Sequence, residues 1–265
     1  MLRSIRNFLE SVRKPLPKEV YFRSLPTNRK LMIWYADKVV KADSTIDPIE
    51  RLREVDEIRK QGGRLTFISN HLTYADSHII ETLFRRAGFA DLANHLIHIA
   101  GQKTYLIYRR LLTRSLNTIR VYQPKAGVDD TFRRRMNARA LRWASHLKKR
   151  GYSLLVFPEG TRTRLAKRFN LHCANPRTTL YFRNSMVVPL ALMGSENIMP
   201  LGSTFQRRGT VHLRVGPPFQ HAEQEQSIRE LNPNGSDREV RQLLMRHYME
   251  QIHQLLDTDY RYIGK

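Results

Sequence analysis

The sequence is poor in cysteine and in long apolar runs. Cys173 is the single cysteine among 265 residues, which excludes an internal disulfide and is compatible with a reducing compartment. The longest stretch without Asp, Glu, Lys or Arg is Asn184–Ser195, well short of the roughly 18 apolar residues that cross a bilayer. We therefore predict neither a disulfide-stapled scaffold nor a membrane-spanning protein.

Acidic residues are scarce as well. The chain has 24 Asp and Glu against 46 Lys and Arg, a formal net charge of +22. Such a surplus indicates an anionic partner: a phosphate ligand, an anionic lipid, an acidic carrier protein or a nucleic acid. Residues 103–168 hold 18 of the basic residues and three acidic ones. The middle of the chain is where we expect an anion to bind.

Short apolar runs alternate with helical patterns along the chain. This alternation predicts an α/β fold, a layered mixed sheet flanked by helices, with a short helical N-terminal extension. The predicted strands are Arg64–Ser69, His95–Ala100, Asn117–Tyr122, Tyr152–Phe157, Met186–Leu192 and Thr210–Val215. The predicted helices are Asn28–Ala42, one from Asp47-Pro48 to Gly62-Gly63 in which Asp47 is the cap and Pro48 the first helical residue, Asp76–Ala87, Tyr105–Ser115, Asp130–Arg150, Asn175–Arg183 and Ser236–Leu256.

The first fourteen residues have the pattern of a basic amphipathic helix. Leu2, Ile5, Leu9 and Val12 fall on one helical face, with arginines largely elsewhere. Such a helix can lie in a membrane interface. It can equally pack on its own domain or serve as a targeting peptide, and the pattern leaves these three open.

The stretch LTFISNHLTYAD suggests a base at the end of a buried strand. His71 follows the strand and Asp76 opens the next helix. A carboxylate that bonds one imidazole nitrogen leaves the other free as a base. The spacing alone carries little weight. A second strand-to-loop junction, FPEGTRTR, strengthens it, because Arg162 and Arg164 follow a glycine and can fork onto phosphate oxygens.

Two other site types fit parts of the sequence less well. His71, Asp76 and His78 can be drawn as metal ligands, but no convincing further ligand accompanies them, and we expect no metal. The basic segment RRRMNARALRWASHLKKR could lie along a phosphate backbone. A nucleic-acid-binding protein is therefore the rival class, although we expect no nucleic acid as partner.

The motifs NHLTYAD and FPEGTR together resemble those of the glycerolipid acyltransferases, the family of glycerol-3-phosphate and lysophosphatidic acid acyltransferases. Finer similarity to the soluble plastid-type glycerol-3-phosphate acyltransferases lies in NHLIHIAGQK, NTIRVYQPK, RRMNARAL and VVPLALMGSENIMP. The resemblance covers residues 64–201 approximately. It implies an acyltransferase catalytic domain, which we assign to residues 61–265. The helical patterns ahead of it predict a helical N-terminal extension over residues 1–60 that can contact a membrane surface.

The resemblance also implies a role for each site residue. His71 is expected to be the general base that removes a proton from the acceptor hydroxyl, with Asp76 as its orienting partner. The expected phosphate-binding residues are Lys125, Arg162 and Arg164, and those expected to shape the acceptor loop are Glu159, Gly160 and Thr161.

The expected reaction is transfer of a fatty acyl group, without an acyl-enzyme, from an acyl thioester to glycerol-3-phosphate. 1-Acylglycerol-3-phosphate is the alternative acceptor. Acyl-CoA or acyl carrier protein is the expected donor, and we expect no cofactor. The expected location is cytoplasmic, peripheral at the inner face of a membrane with an anionic surface.

Overall fold

The computed structural model describes residues 20–102, 114–123, 127–160, 162, 169, 175–200 and 206–261. The predicted N-terminal helix and all of the predicted helix Tyr105–Ser115 except its last two residues lie outside these ranges. Within them, no helix combines the length and apolar character needed to cross a bilayer.

Nine strands of the described residues form one mixed sheet. Their order is β1-β5-β4-β6-β3-β7-β8-β2, and β9 pairs with β7 beyond the end of β8. The five neighbours from β5 to β7 are parallel, whereas β1 pairs antiparallel with β5, and β8 and β9 pair antiparallel with β7. The strands are β1 Tyr21–Phe22, β2 Thr45–Asp47, β3 Leu65–Ser69, β4 Leu96–Gly101, β5 Asn117–Val121, β6 Ser153–Val156, β7 Met186–Met193, β8 His212–Val215 and β9 Phe219–Gln220.

Helices connect these strands and cover both faces of the sheet. The α-helices of the described residues are α1 Pro26–Val39, α2 Ile49–Lys60, α3 Asp76–Arg86, α4 Ala90–Asn94, α5 Asp130–Lys148, α6 Ser195–Ile198, α7 His221–Leu231 and α8 Asp237–Leu255. Two 3₁₀ helices lie at Pro176–Tyr181 and Thr258–Tyr260.

The core is split into two layers by the sheet. Because successive side chains of a strand point to opposite faces, Ile68 of β3 packs with α5 and α8, whereas Phe67 packs with α2, α3 and α4. All five residues of β3 are buried. A strand covered on both faces reads as a continuous apolar run, which is why β3 and β6 stand out in the sequence.

The predicted fold class is confirmed, and each of the six predicted strands is present within two residues of its predicted ends. Three short strands were not predicted: β1, β2 and β9 have two or three residues each, too few to show a period. Because β1 and β2 pair with β5 and β8, the described part of residues 1–60 is not purely helical. The division of the chain at residue 60 stays a prediction.

Three details of the helix prediction are wrong. Asp47 belongs to β2, and Pro48 occupies the N-cap position of α2 without a side-chain cap. The segment predicted as a helix over Asn175–Arg183 is a 3₁₀ helix, Pro176–Tyr181. The eleven-residue α7 was not predicted, because its polar sequence has little apolar stripe and a single buried residue, His221.

Candidate functional site

The two sequence motifs meet at one edge of the sheet. The parallel strands β6, β3 and β7 are neighbours, so their carboxyl ends lie side by side. The loop after β3 carries His71, the loop after β6 carries Glu159, and the turn after β7 carries Ser195. The crevice beyond the carboxyl ends of parallel strands is where α/β sheets bind their ligands.

Asn70 fixes the turn that presents the histidine. Its amide Nδ2 donates to the carbonyl of Leu192 at 2.8 Å, and its Oδ1 accepts from the Leu192 N–H at 2.7 Å. The side chain therefore bonds to β7 as a backbone residue would, directly after β3 ends. This pairing leaves the following residue, His71, at the exit of the sheet.

His71 and Asp76 form the predicted pair. The Nδ1 of His71 lies 2.9 Å from Oδ2 of Asp76, a carboxylate with no solvent exposure. The same carboxylate accepts from the backbone N–H groups of Leu72 and Thr73, from the Thr73 hydroxyl and from the Ser195 hydroxyl, at 2.7 to 2.9 Å. Because these four partners all donate, the carboxylate acts as an acceptor. We therefore assign Nδ1 of His71 as a fifth donor, which leaves Nε2 free to accept a proton.

The imidazole is also fixed from its face. The ring of Phe157, the residue after β6, stacks on His71 with centroids 4.2 Å apart and an interplanar angle of 19°. The His71 side chain keeps 18% of its surface exposed. The ring is thus immobilised by Asp76 and Phe157 while one part of it stays open to a substrate.

Glu159 ties the second motif to the first. Its Oε1 accepts from the backbone N–H of His71 at 2.8 Å, and the residue is only 5% exposed. Burial raises the pKa of Glu159 to about 8, and the nearby Asp76 charge acts in the same direction, whereas the His71 N–H opposes it. Glu159 is therefore largely a neutral acid near pH 7.

Gly160 makes the turn that follows. Its φ of +65° lies in the left-handed region, where a residue without Cβ carries no steric cost. Its carbonyl accepts from Gln123 Nε2 at 2.6 Å, so the residues after β5 support this loop from the other side. Glu159 and Gly160 thus fix the backbone of this loop; their role in shaping an acceptor site stays a prediction. Thr161, the third residue expected to do so, lies outside the described residues.

Arg162 lies over the turn of the first motif. Its guanidinium carbon is 3.7 Å from the ring centroid of Tyr74, a cation–π contact worth roughly 0.5–2 kcal/mol. Tyr74 stands between His71 and Asp76 in sequence, so the contact holds a cation on the turn that joins them. Lys125 and Arg164, the other residues expected to bind phosphate, lie outside the described residues.

Four contributors were missed by the sequence reasoning as members of the site: Thr73, Tyr74, Phe157 and Ser195. Three of them lie inside or next to the motifs, where adjacency is a usable signal. Ser195 is 119 positions from Asp76. It lies in the segment VVPLALMGSENIMP, but its contact with Asp76 follows from the pairing of β7 with β3.

The histidine clusters do not form a metal centre. His78, considered with His71 and Asp76, directs its Nε2 to the hydroxyl of Ser115 at 2.7 Å. His98 directs Nε2 to Glu81, which also pairs with Arg29. Over the described ranges, no three His, Cys, Asp or Glu side chains are grouped so that they could hold a metal ion.

A polar cleft of about 290 Å³ opens elsewhere, beside Gly63, Arg64, Ser185 and Met186. These residues lie just before β3 and at the start of β7, so the cleft lies at the opposite edge of the sheet from His71. A five-residue strand separates the two edges by about 16 Å. The cleft is therefore not part of the His71 site.

Comparisons with known proteins bear on this site. A family model described as Acyltransferase matches residues 50–200, which include both motifs. The chloroplastic glycerol-3-phosphate acyltransferase of Phaseolus vulgaris is 34% identical over 124 residues, 42% of this chain. The match spans a quarter (25%) of that relative's length.

Among solved structures, the chain is similar to the 1-acyl-sn-glycerophosphate (LPA) acyltransferase PlsC from Thermotoga maritima. The TM-score is 0.45 at 18% identity, over 96% of this chain and 89% of that one.

The protonation of Glu159 predicts a specific pH dependence of stability. As the pH rises from about 4.5 to about 8, the unfolded chain releases this proton while the folded chain keeps it, so the free energy of unfolding falls. The loss is on the order of 4 kcal/mol. We expect Glu159→Gln, which cannot ionise and still accepts from His71, to abolish this part of the pH dependence and to be more stable than the unmodified protein at pH 8.

The measurement is urea unfolding of both proteins at a series of pH values. Glu223→Gln, at an exposed position of α7, is the matched control and should follow the unmodified protein. A Glu159→Gln protein that is less stable at pH 8 would show instead that the folded protein needs an ionised Glu159.

Proposed function

The chain belongs to the acyltransferase family, and from that premise we propose that it transfers a fatty acyl group from an acyl thioester to the hydroxyl of glycerol-3-phosphate. The family match confirms the resemblance read from NHLTYAD and FPEGTR. The observation that carries the proposal is the His71–Asp76 pair, 2.9 Å apart at the end of β3. The partly matching bean relative, named as a glycerol-3-phosphate acyltransferase, favours that acceptor; 1-acylglycerol-3-phosphate is the runner-up.

The proposed reaction needs one base and one fixed acceptor. Nε2 of His71 takes the proton of the acceptor hydroxyl as its oxygen bonds to the thioester carbonyl carbon. The carbon–sulfur bond then breaks, and the imidazolium returns the proton to the departing thiolate. Asp76 stabilises the imidazolium in between, as in other carboxylate–histidine pairs. No acyl-enzyme forms. The acceptor oxygen gains the acyl group and loses its proton, and the thiol leaves with that proton.

The phosphate of the acceptor supplies the positioning. Arg162 is held over Tyr74, a residue of the turn that carries His71. A guanidinium can bind two phosphate oxygens at once. Lys125 and Arg164 are proposed to complete the phosphate site. Fixing the phosphate fixes the hydroxyl next to Nε2, which can contribute several kcal/mol to the rate.

Acyl-CoA or acyl carrier protein is the proposed donor, and no further cofactor is proposed. Both are anionic. Helix α5 exposes a row of cations along one side, Arg135, Arg139, Arg142 and then Lys149 just past its end. Charge of this kind speeds the encounter with an anionic partner at low ionic strength.

We propose that the protein is cytoplasmic and peripheral, and that helix α1 contacts the anionic inner face of a membrane. The outer side of α1 exposes Leu31 (51%) and Trp34 (59%). Lys30 and Lys38, one turn before and after Trp34, are exposed as well. An indole suits the bilayer interface because it has an apolar body and a polar N–H, and each nearby lysine adds about 1 kcal/mol of attraction to anionic lipid.

The primary test of the proposed function is His71→Ala. We expect acceptor-dependent release of free thiol from acyl-CoA to fall by about 10²- to 10⁴-fold, since a general base contributes that much. Glycerol-3-phosphate and lysophosphatidic acid are offered separately, each with acyl-CoA and with acyl carrier protein. His212→Ala, at an exposed position of β8, is the control. A folded His71→Ala protein with full activity would refute the proposal.

Arg162→Ala tests the phosphate site. We expect the KM of the acceptor to rise by about ten- to a hundredfold with little change in kcat, because a charge-assisted hydrogen bond contributes about 1.5–3 kcal/mol. The KM of the acyl donor should not change. Acylation of glycerol, which has no phosphate, should be equally slow with and without Arg162. Arg177→Ala, at an exposed arginine, serves as control, and an acceptor KM equal in both variants would contradict the assignment.

Trp34→Ala tests the membrane surface. We expect weaker sedimentation with vesicles of phosphatidylcholine and phosphatidylglycerol, by about tenfold or more, because roughly 100 Å² of buried apolar area contributes about 2 kcal/mol. Trp143 lies on α5, which covers the other face of the sheet, and stacks on Tyr21; Trp143→Ala is the matched control. Equal binding by the two variants would exclude α1 as the contact.

A further inference from the structure

The end of the described chain returns to the site. After α8, the 3₁₀ turn Thr258–Tyr260 lays Tyr260 against the turn that follows β7. The Tyr260 hydroxyl accepts from the backbone N–H of Gly194 at 2.9 Å and donates to Oε1 of Glu196 at 2.7 Å. Burial raises the pKa of Tyr260, so the phenol keeps the proton that it donates.

The residue between those two contacts is Ser195. Its hydroxyl donates to Oδ1 of Asp76 at 2.8 Å, and the residue is fully buried. Gly194 has a φ of +87°, and a Cβ there would lie 2.4 Å from the carbonyl oxygen of Thr210. The backbone of the turn can therefore adopt this conformation only with glycine at position 194. Tyr260 binds Gly194 and Glu196, the residues on both sides of Ser195.

The backbone of the same tyrosine also bonds to Phe169. Its backbone carbonyl accepts from the N–H of Phe169 at 2.7 Å, and Phe169 pairs with Arg261 in a parallel bridge. Phe169 is buried in the core next to α8. In the sequence, Phe169 stands seven residues after Arg162.

We propose that Tyr260 is a positioning residue for acyl transfer. Its hydroxyl fixes the residues on both sides of Ser195, so that Ser195 donates to Asp76, and its backbone carbonyl fixes Phe169. Tyr260 acts on His71 through Ser195 and Asp76. This inference rests on the proposed function.

A matched residue separates positioning from stability. Tyr248 on α8 is also buried, and its hydroxyl bonds to Nδ1 of His221 at 2.7 Å. Its partners lie beside Phe182 and Phe219, away from the turn after β7. Tyr248→Phe therefore removes a comparable buried hydroxyl without touching Gly194, Ser195 or Glu196.

The first measurement is steady-state kinetics of five proteins: the unmodified chain, Tyr260→Phe, Ser195→Ala, their double variant, and Tyr248→Phe. We expect Tyr260→Phe and Ser195→Ala each to lower kcat about tenfold, because small misplacements near the reacting atoms can cost up to about a hundredfold. The KM of the acceptor should stay within about twofold, since the phenylalanine keeps the backbone carbonyl on Phe169. The double variant should be no slower than the slower single variant, because the two residues act on one carboxylate.

The second measurement needs no substrate. The Nδ1 proton of His71, hydrogen-bonded to Asp76, should give a downfield proton resonance in protein labelled with ¹⁵N-histidine, assigned by its absence in His71→Ala. We expect this resonance to shift or broaden in Tyr260→Phe and Ser195→Ala, and to stay unchanged in Tyr248→Phe.

The two measurements keep the two proposals apart. If the unmodified chain acylates no acceptor, the proposed function fails, and the resonance still reports whether Tyr260 positions the pair. If acyl transfer is observed but Tyr260→Phe matches Tyr248→Phe in kcat and in the His71 resonance, the positioning role is overturned. Full additivity of Tyr260→Phe and Ser195→Ala would overturn it as well.

Discussion

The site depends on one buried carboxylate and the donors that surround it. Asp76 has no exposure and accepts five hydrogen bonds, from the His71 ring, two backbone N–H groups and the hydroxyls of Thr73 and Ser195. A buried charge is tolerated only when it is paired and hydrogen-bonded. The backbone of the turn and the helix that starts at Asp76 are therefore constrained to the geometry that satisfies it, and His71 is oriented as part of the same network.

The second carboxyl group has the opposite environment. Glu159 accepts one hydrogen bond, from the His71 backbone, and burial raises its pKa to about 8. Two ionised carboxylates this close to one histidine would repel each other in a region with little water. A neutral Glu159 avoids that repulsion while still fixing the backbone of His71. Asp76 thus holds the ring of His71, and Glu159 holds its backbone. Pairs of carboxyl groups whose environments move their pKa values apart are common in active sites.

Most of the fold and the central part of the candidate site could be predicted from the sequence. Apolar runs predicted the six longer strands, most clearly β3, β6 and β7, because these three are covered on both faces. The glycerolipid acyltransferase motifs pointed to His71, Asp76, Glu159 and Arg162 as site residues. The misses have physical reasons. The strands β1, β2 and β9 owe their conformation to their partners, and α7 lacks an apolar stripe. Ser195 and Tyr260 depend on which strands are neighbours, which local patterns do not encode.

Strand order explains why the base follows β3 in particular. β3 lies between β6 and β7, both parallel to it, so its loop can be contacted from two sides at the same edge. Glu159 and Phe157 reach His71 from the β6 side, and Ser195 reaches Asp76 from the β7 side. The same support continues outward: Gln123, after β5, bonds to Gly160, and Tyr260 bonds to the turn after β7. A strand at the edge of the sheet has one neighbour, so the loop after it would be contacted from one side only. Residues 88 and 119 positions apart therefore form one site because a central parallel strand makes their loops adjacent.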